Sequence, residues 1–377
     1  MVKRERLIEK FVNLVSISSV SRNEKDFKEY LKKEFIKRGL NPEEDNAGEI
    51  IGGNAGNLFI QIPGTVDASP VLFAAHMDTV KPGEGIKAVV DGDIIRSQGD
   101  TVLGADDKAA IAVLMEVYDI LREENLLYPP LEFLFTVAEE EGLKGAKSFD
   151  FTRVKAKKAY VLDAGGSPGS IVIKSPWHNE IEYTVYGKAA HAGMDPENGI
   201  NAIKAAGRAL AKMPCGRIDE ETTCNFGVIE GGKARNIVAD ICRIKGEARS
   251  LSKDKLDRLT HELKEIFVSE AEKEGARAEV KIESLYPGVN LDKESEVVKI
   301  AEKACLKIGL KPNLTGTGGG SDASIINGSG IPCVNLGIGM SKVHTAEEYI
   351  KIEDLIKDVE LVLAIIEESI KESGSCV

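Results

Sequence analysis

The chain of 377 residues predicts an α/β fold: a mixed, mainly parallel sheet covered by helices, interrupted by a smaller ferredoxin-like βαββαβ domain. Three observations predict it. Apolar strand-like runs alternate with helical stretches over the first 177 residues. The pattern then changes to β-α-β-β-α-β. Near residue 288 the α/β alternation resumes.

Taken in order, two amphipathic helices open the chain, over about 3–16 and 24–39, and Gly39 with the following Asn-Pro stops the second. Strands follow at 57–62 (NLFIQI), 70–77 (PVLFAAHM), 131–137 (LEFLFTV) and 159–164 (AYVLDA), separated by helical segments near 106–124 and 143–149. Three of these runs are continuously apolar, as strands covered on both faces must be. The insert reads as strand 180–187, helix 196–213, strands 223–230 and 235–249, helix 252–275 and strand 277–285, with Tyr286-Pro287-Gly288 closing it. The domain boundaries are therefore 1–177 with 288–377, and 178–287 for the insert. Helix, loop, strand and helix fill 292–373.

Composition excludes several classes. A net charge of -12 argues against a nucleic-acid partner. The N-terminus, MVKRERLIEKFVNLV, interrupts its apolar positions with charges and is neither a signal peptide nor a membrane anchor, and no apolar run reaches spanning length. The cysteines (Cys215, Cys224, Cys242, Cys305, Cys333, Cys376) are scattered with no CxxC, the pattern of free thiols in a reducing cytoplasm. Gln61 and Gln98 are the sole glutamines among abundant Lys and Glu, which leans towards a thermophilic source.

Chemistry concentrates at a few charged positions. His76 ends an apolar strand, with Asp78 two residues on; Glu139, Glu140 and Glu141 follow another; Asp163 ends a third. Singly, each has a plain reading. A strand-end histidine is usually structural, Asp106 and Asp107 could merely cap a helix, and a triple Glu is usually a solvated run. Together they fall at strand C-termini, the edge where open parallel sheets bind ligands. Two histidines (His76, His344) with several carboxylates form a mixed N/O set suited to zinc, cobalt or manganese, and converging carboxylates repel unless cations lie between them.

HMDTV, GADDK, EEEG, YVLDAG and a late VHTAEE, in this order over nearly the whole chain, together with GKAAHAG in the insert, resemble the zinc peptidase family of peptidase T, carboxypeptidase G and the aminoacylases. The likeness is closest to the peptidase T-like tripeptide aminopeptidases, through LGADDKA and the Asp at 163. The resemblance implies two divalent metal ions per subunit, zinc first, with cobalt or manganese as alternatives. His76, Asp106 and Asp163 would hold one, and Asp106, Glu140 and His344 the other. Asp78 would support His76, and the Asp106–Asp107 peptide bond would be cis. Glu139 would be the general base, with a further metal ligand as its alternative role, acting on a water between the metals to release the N-terminal residue of a tripeptide. Glu141 remains a surface charge.

Within the insert, a lid and dimerisation domain by the same resemblance, His191, Asn236 and Arg249 match positions that contact substrate, and His191 would complete the neighbouring subunit's site in a homodimer. Gly319 and Gly320, in TGTGGGSDAS, match the family's Gly-rich loop before a helix, whose start can bind an anion. Ala110 and Ala323 stand where peptidase T-like proteins often have Gly. The alternatives are a dipeptidase, carboxypeptidase or N-acyl amino acid deacylase of the same family, or, more remotely, an inactive binding protein on the same fold. Short peptides are the implied partner, with neither nucleic acid nor membrane.

Overall fold

A computed structural model describes residues 2–373; Cys376 lies outside them. The chain groups into two compact units, one running to Lys174 and including Asn290–Thr317 and the chain from Ser321 onward, the other comprising Ser175–Val289 with Gly318–Gly320.

The first unit is built on a mixed sheet in the order Glu43–Glu44, Leu58–Ile62, Leu131–Thr136, Val71–His76, Ala159–Ala164, Cys333–Gly337, Ser170–Ser175, with short strands Asn313–Gly316 and Val289–Asn290 beside the last. The four central strands run parallel, and Leu58–Ile62 and Ser170–Ser175 run antiparallel on either side of them. This is the mainly parallel architecture expected. Its apolar runs are continuous because alternate residues serve two cores. In Val71–His76, Val71, Phe73 and Ala75 join the larger cluster, with Phe11, Leu114, Tyr160 and Ile365, while Leu72 and Ala74 face Leu134, Phe149, Val161 and Ile326. Helix Ala105–Glu123 packs on Val71–His76 and against helices Arg4–Ser16 and Ile352–Ser373. No helix among the described residues is long and apolar enough to cross a membrane.

Strand Ser170–Ser175, helix Ala47–Ile51 and a small separate sheet escaped the sequence reading. Ala88–Asp91 and Ile94–Ser97 form a hairpin that Tyr349–Lys351 extends to a three-stranded sheet. Its strands are short and largely solvated, so they carry little of the apolar signal that marks a strand.

In the second unit the strands lie in the order Thr222–Gly231, Ile241–Ser250, Trp177–Tyr186, Arg277–Tyr286, all neighbours antiparallel, with Gly216–Arg217 flanking the first. Helices Ala202–Leu210 and Lys253–Lys273 complete the ferredoxin-like order. Two boundaries differ most from expectation. The first helix begins at Ala202, not 196, because Ile200 still pairs with Lys188 and Asn201 caps the helix, accepting from Lys204 N at 3.1 Å. The strand expected from 235 begins at Ile241, because Ile237 bridges His191 and Val238 N donates to Ala190 O at 2.9 Å.

Candidate metal centre

The charged positions come together beyond the C-terminal ends of the parallel strands. His76 is the last residue of its strand and is buried. Its Nδ1 lies 2.9 Å from the Asp78 carbonyl oxygen, which can only accept, so Nδ1 carries the proton. That leaves Nε2 free to act as a ligand, 2.9 Å from Asp106 Oδ1 and 3.8 Å from Asp163 Oδ1. Asp106 and Asp107 open helix Ala105–Glu123 with non-helical angles, joined by the cis peptide bond that the resemblance implies. On the other side of Asp106, His344 Nε2 lies 3.3 Å from Oδ2 and 2.9 Å from Glu140 Oε1. Asp106 therefore stands between His76 and His344, the place of a shared ligand.

Ligand atoms of His76, Asp106 and Glu140 fall within 4.8 Å of one another, as do those of His76, Asp107 and Asp163. Asp107, outside the expected set, lies in the second of these groups. Its Oδ2 accepts from His76 N at 3.1 Å, while its Oδ1 is buried with no hydrogen-bond partner. The donor chemistry and this orphaned oxygen suit hard or borderline divalent cations.

The electrostatics agree. Burial, reinforced by neighbouring carboxylates, pushes the carboxyls of Asp107, Asp163 and Glu139 well above the ordinary range. Asp106 moves the opposite way: burial opposes its charge, but His344 and His76 outweigh that and hold it low. The hydrogen bonds to Asp106 and Glu140 raise His344 to about 10. Carboxyls that resist ionising in mutual company are what a bound cation relieves.

Around these groups lies a layer that sequence reasoning largely missed. Asp78 supports His76 mainly through its carbonyl, because its carboxylate accepts the N–H groups of Glu139 (2.9 Å) and Glu140 (3.2 Å) and the Ser21 hydroxyl (2.7 Å). Glu348 is buried and accepts from Leu103 N and Gly104 N (2.7 and 2.8 Å) and from Asp106 N (3.1 Å). Asn335 accepts from Asp163 N at 2.9 Å and donates to Ser321 at 3.0 Å. Asp322 is buried, accepts from the Thr136 hydroxyl and keeps its other oxygen unpaired; burial lifts its carboxyl to about 6, Thr136 opposing. Glu348 was visible inside the late VHTAEE motif, where the spacing from His344 was its one signal. Glu141 is an exposed charge that pairs with Arg22 and Lys144 at the surface.

The other singled-out residues belong to the second unit. His191 is exposed, in a loop tied by His191 N to Asp195 (3.1 Å) and by Gly193 N to His191 Nδ1 (3.2 Å). Asn236 is exposed and its carbonyl accepts from Ala192 N at 3.0 Å. Arg249 donates from Nε and Nη2 to Glu247 (3.1 Å each) and from Nη1 to Gly318 O (3.0 Å). Three of its five donors are thus committed, and one N–H remains on each terminal nitrogen. Gly320 is required where it stands, because a Cβ there would lie 2.4 Å from the Tyr286 ring, whereas Gly319 has open space. The helix after this loop, Asp322–Gly328, is seven residues long and starts with a carboxylate, which opposes an anion at its N-terminus.

A model of peptidase family M20/M25/M40 matches residues 72–368. The uncharacterized protein YqjE of Bacillus subtilis (strain 168) is 45% identical over 371 residues, 98% of this chain and 100% of that protein. Among solved structures, aminopeptidase PepT from Bacillus cereus ATCC 10987 is 44% identical with a TM-score of 0.92, covering 98% of this chain and 99% of that one. A tripeptidase from Staphylococcus aureus subsp. aureus mu50 is 37% identical with a TM-score of 0.94, covering 98% and 100%.

Proposed function

The chain belongs to peptidase family M20/M25/M40, and from that premise we propose that it is a metal-dependent aminopeptidase that releases the N-terminal residue of tripeptides. The observation that carries the reading is the gathering of His76, His344 and several carboxylates on one sheet edge, with the buried Glu139 carboxyl in electrostatic reach of His76, Asp163 and Glu140. The likeness to an aminopeptidase and a tripeptidase over nearly the full length of each supports it.

His76, Asp106 and Asp163 would hold one divalent cation, and Asp106, Glu140 and His344 a second; zinc is our first choice, with cobalt or manganese as alternatives. Bound there, such ions acidify a water and polarise the scissile carbonyl. Glu139 takes a proton from the attacking water and returns it to the leaving amine. Asp78 fixes the tautomer of His76 through its carbonyl. Arg249, held by Glu247, offers its two remaining N–H groups as a fork for a substrate carboxylate, with Asn236 and the Gly319–Gly320 backbone as further contacts.

We further propose a homodimer formed through the second unit, in which His191 donates to the negative charge developing on the carbonyl oxygen at the neighbouring subunit's site. Val228 and Ile229, exposed on strand Thr222–Gly231, support pairing along that edge. Free Cys215, Cys224, Cys242, Cys305 and Cys333 support a cytoplasmic location.

Product analysis on one tripeptide in free, N-acetyl and C-amide forms tests the activity. Cleavage that needs the free N-terminus and yields the first residue is expected. Cleavage of the N-acetyl form would instead identify a deacylase or carboxypeptidase, and metal binding with no hydrolysis an inactive binding protein.

A further inference from the structure

We infer that the Ser21–Glu24 turn braces the loop carrying Glu139 and Glu140, and that Glu24 is its central positioning residue. The inference rests on the role of Glu139 proposed above. Strand Leu131–Thr136 ends one residue before Val137, and the next four backbone N–H groups are all taken by side chains. Val137 N donates to Asn57 Oδ1 (3.0 Å), Ala138 N to Glu24 Oε1 (2.9 Å), Glu139 N to Asp78 Oδ1 (2.9 Å) and Glu140 N to Asp78 Oδ2 (3.2 Å). Ala138 sits at φ +47°, a left-handed conformation that a non-glycine residue keeps only when its surroundings impose it.

The turn reaches this loop at two points directly and at a third through Asp78. Ser21 donates to Asp78 Oδ2 (2.7 Å), Arg22 pairs with Glu141 (2.6 Å) just past the two catalytic-loop glutamates, and Glu24 holds Ala138 just before them. Glu24 Oε1 also accepts from Arg22 N at 2.9 Å and so closes its own turn.

Two features separate this from ordinary packing. Glu24 occupies the N-cap of helix Lys25–Lys37, yet its side chain makes no cap hydrogen bond to that helix. It is also fully buried with Oε2 unpartnered, a costly arrangement for a carboxyl whose pKa is lifted to about 7 by burial and by Asp78. Locally, Glu24 closes its turn through Arg22 N but does not cap its helix. What Glu24 specifically supplies is a fixed backbone immediately before Glu139.

The test compares metal-loaded wild type with Glu24→Met, Glu24→Gln and Arg22→Ala. Glu24→Met keeps the bulk and removes the acceptor. Metal content should match wild type, amide exchange at Ala138 should accelerate, and kcat on a tripeptide should fall about 10²-fold at little-changed KM, the cost of a small misplacement. Glu24→Gln retains an acceptor oxygen and should recover most of that loss. Arg22→Ala alters an exposed pair and should lower kcat roughly two- to fivefold with unchanged Tm. The brace is overturned if Ala138 exchanges faster in Glu24→Met while kcat stays at wild type, or if lost metal accounts for the whole decrease. Should Glu24→Met not fold, wild-type kcat in Arg22→Ala overturns it. A failure of the peptidase reading itself appears differently, as no turnover by wild type.

Discussion

Replacing Glu348 with Gln should weaken metal binding without unfolding the protein. The buried carboxylate receives three N–H groups: its Oε2 serves Leu103 and Gly104, and its Oε1 serves Asp106. It thereby ties the His344 segment to the turn that presents Asp106. A glutamine of the same shape can keep its oxygen on the Leu103–Gly104 pair, but its amide then faces the Asp106 N–H, donor against donor. One hydrogen bond to a charged group is lost, about 1.5–3 kcal/mol. If that loss falls on the position of Asp106, the proposed shared ligand, it corresponds to roughly a 10–100-fold lower metal affinity, the range found when a partner of a metal ligand is removed. The Glu348→Ala variant leaves three N–H groups without their acceptor, at about 1–3 kcal/mol each before relaxation, and should lower Tm as well. Affinity is read by competition with a chromogenic chelator and stability by thermal denaturation of the metal-free protein. Glu348→Gln with metal affinity and hydrolysis both within about twofold of wild type would refute the assignment.

Glu139→Gln should retain wild-type metal content, by elemental analysis, yet lose about 10²–10⁴-fold in kcat, the span of general acid–base catalysis. Stripping the metals with a chelator should lower Tm and abolish hydrolysis, both returning with added zinc, because occupancy stabilises the folded state that binds it; an unchanged Tm would count against the two-cation site. Burial, then Asp354, hold Asp358 well above the ordinary carboxyl value of 3.8, and one of its oxygens is buried without a partner. The folded protein therefore keeps a proton that the unfolded chain releases, so this contribution to stability is full below about 3.8 and is lost as pH rises through the elevated value. Urea denaturation across that window should show a shallower fall for Asp358→Asn. For the dimer, mixing His191→Ala with Glu139→Gln subunits should restore activity towards about a quarter of wild type, one intact site in each mixed dimer; no recovery despite proven exchange excludes the shared site.

The strand-borne parts of the site that were legible share one property: each lies where an apolar run ends in a charge. AAHMD, FTVAEE and YVLDA carry that transition in plain sight, because a strand buried on both faces cannot otherwise tolerate His76, Glu139 or Asp163. The groups that orient them carry no such signal. Glu24 acts on Ala138 across 114 positions, Asn57 on Val137 across 80, Asn335 on Asp163 across 172 and Glu348 on Asp106 across 242. Read locally, Glu24 is a cap residue and Glu348 one of two charges after a loop. The misplaced strand start has a similar origin. The alternation in RNIVADICRIKG continues through Ile237, yet Ile237 bridges His191 while Ile241 pairs with Tyr186, and periodicity records burial without recording the partner.

Using carboxylates for this orienting layer has a consequence of its own. Asp78, Asp107 and Glu348 each spend oxygens on backbone N–H groups beside the proposed ligands, where neutral acceptors such as Asn57 could have served as hydrogen-bond partners. Each carboxylate also deepens the negative potential where cations would bind, so one side chain fixes geometry and raises affinity together. The same choice makes the cation-free state electrostatically poor, as the raised carboxyls of Asp107, Asp163 and Glu139 show. A neutral layer would give a more stable empty protein and a weaker metal site. Metal affinity and stability of the empty protein should therefore move in opposite directions when Asp107 is made Asn. That variant keeps an oxygen for His76 N while removing the charge, so a gain in metal-free Tm should accompany the loss of affinity. A fall in both would mean that Asp107 serves the fold alone.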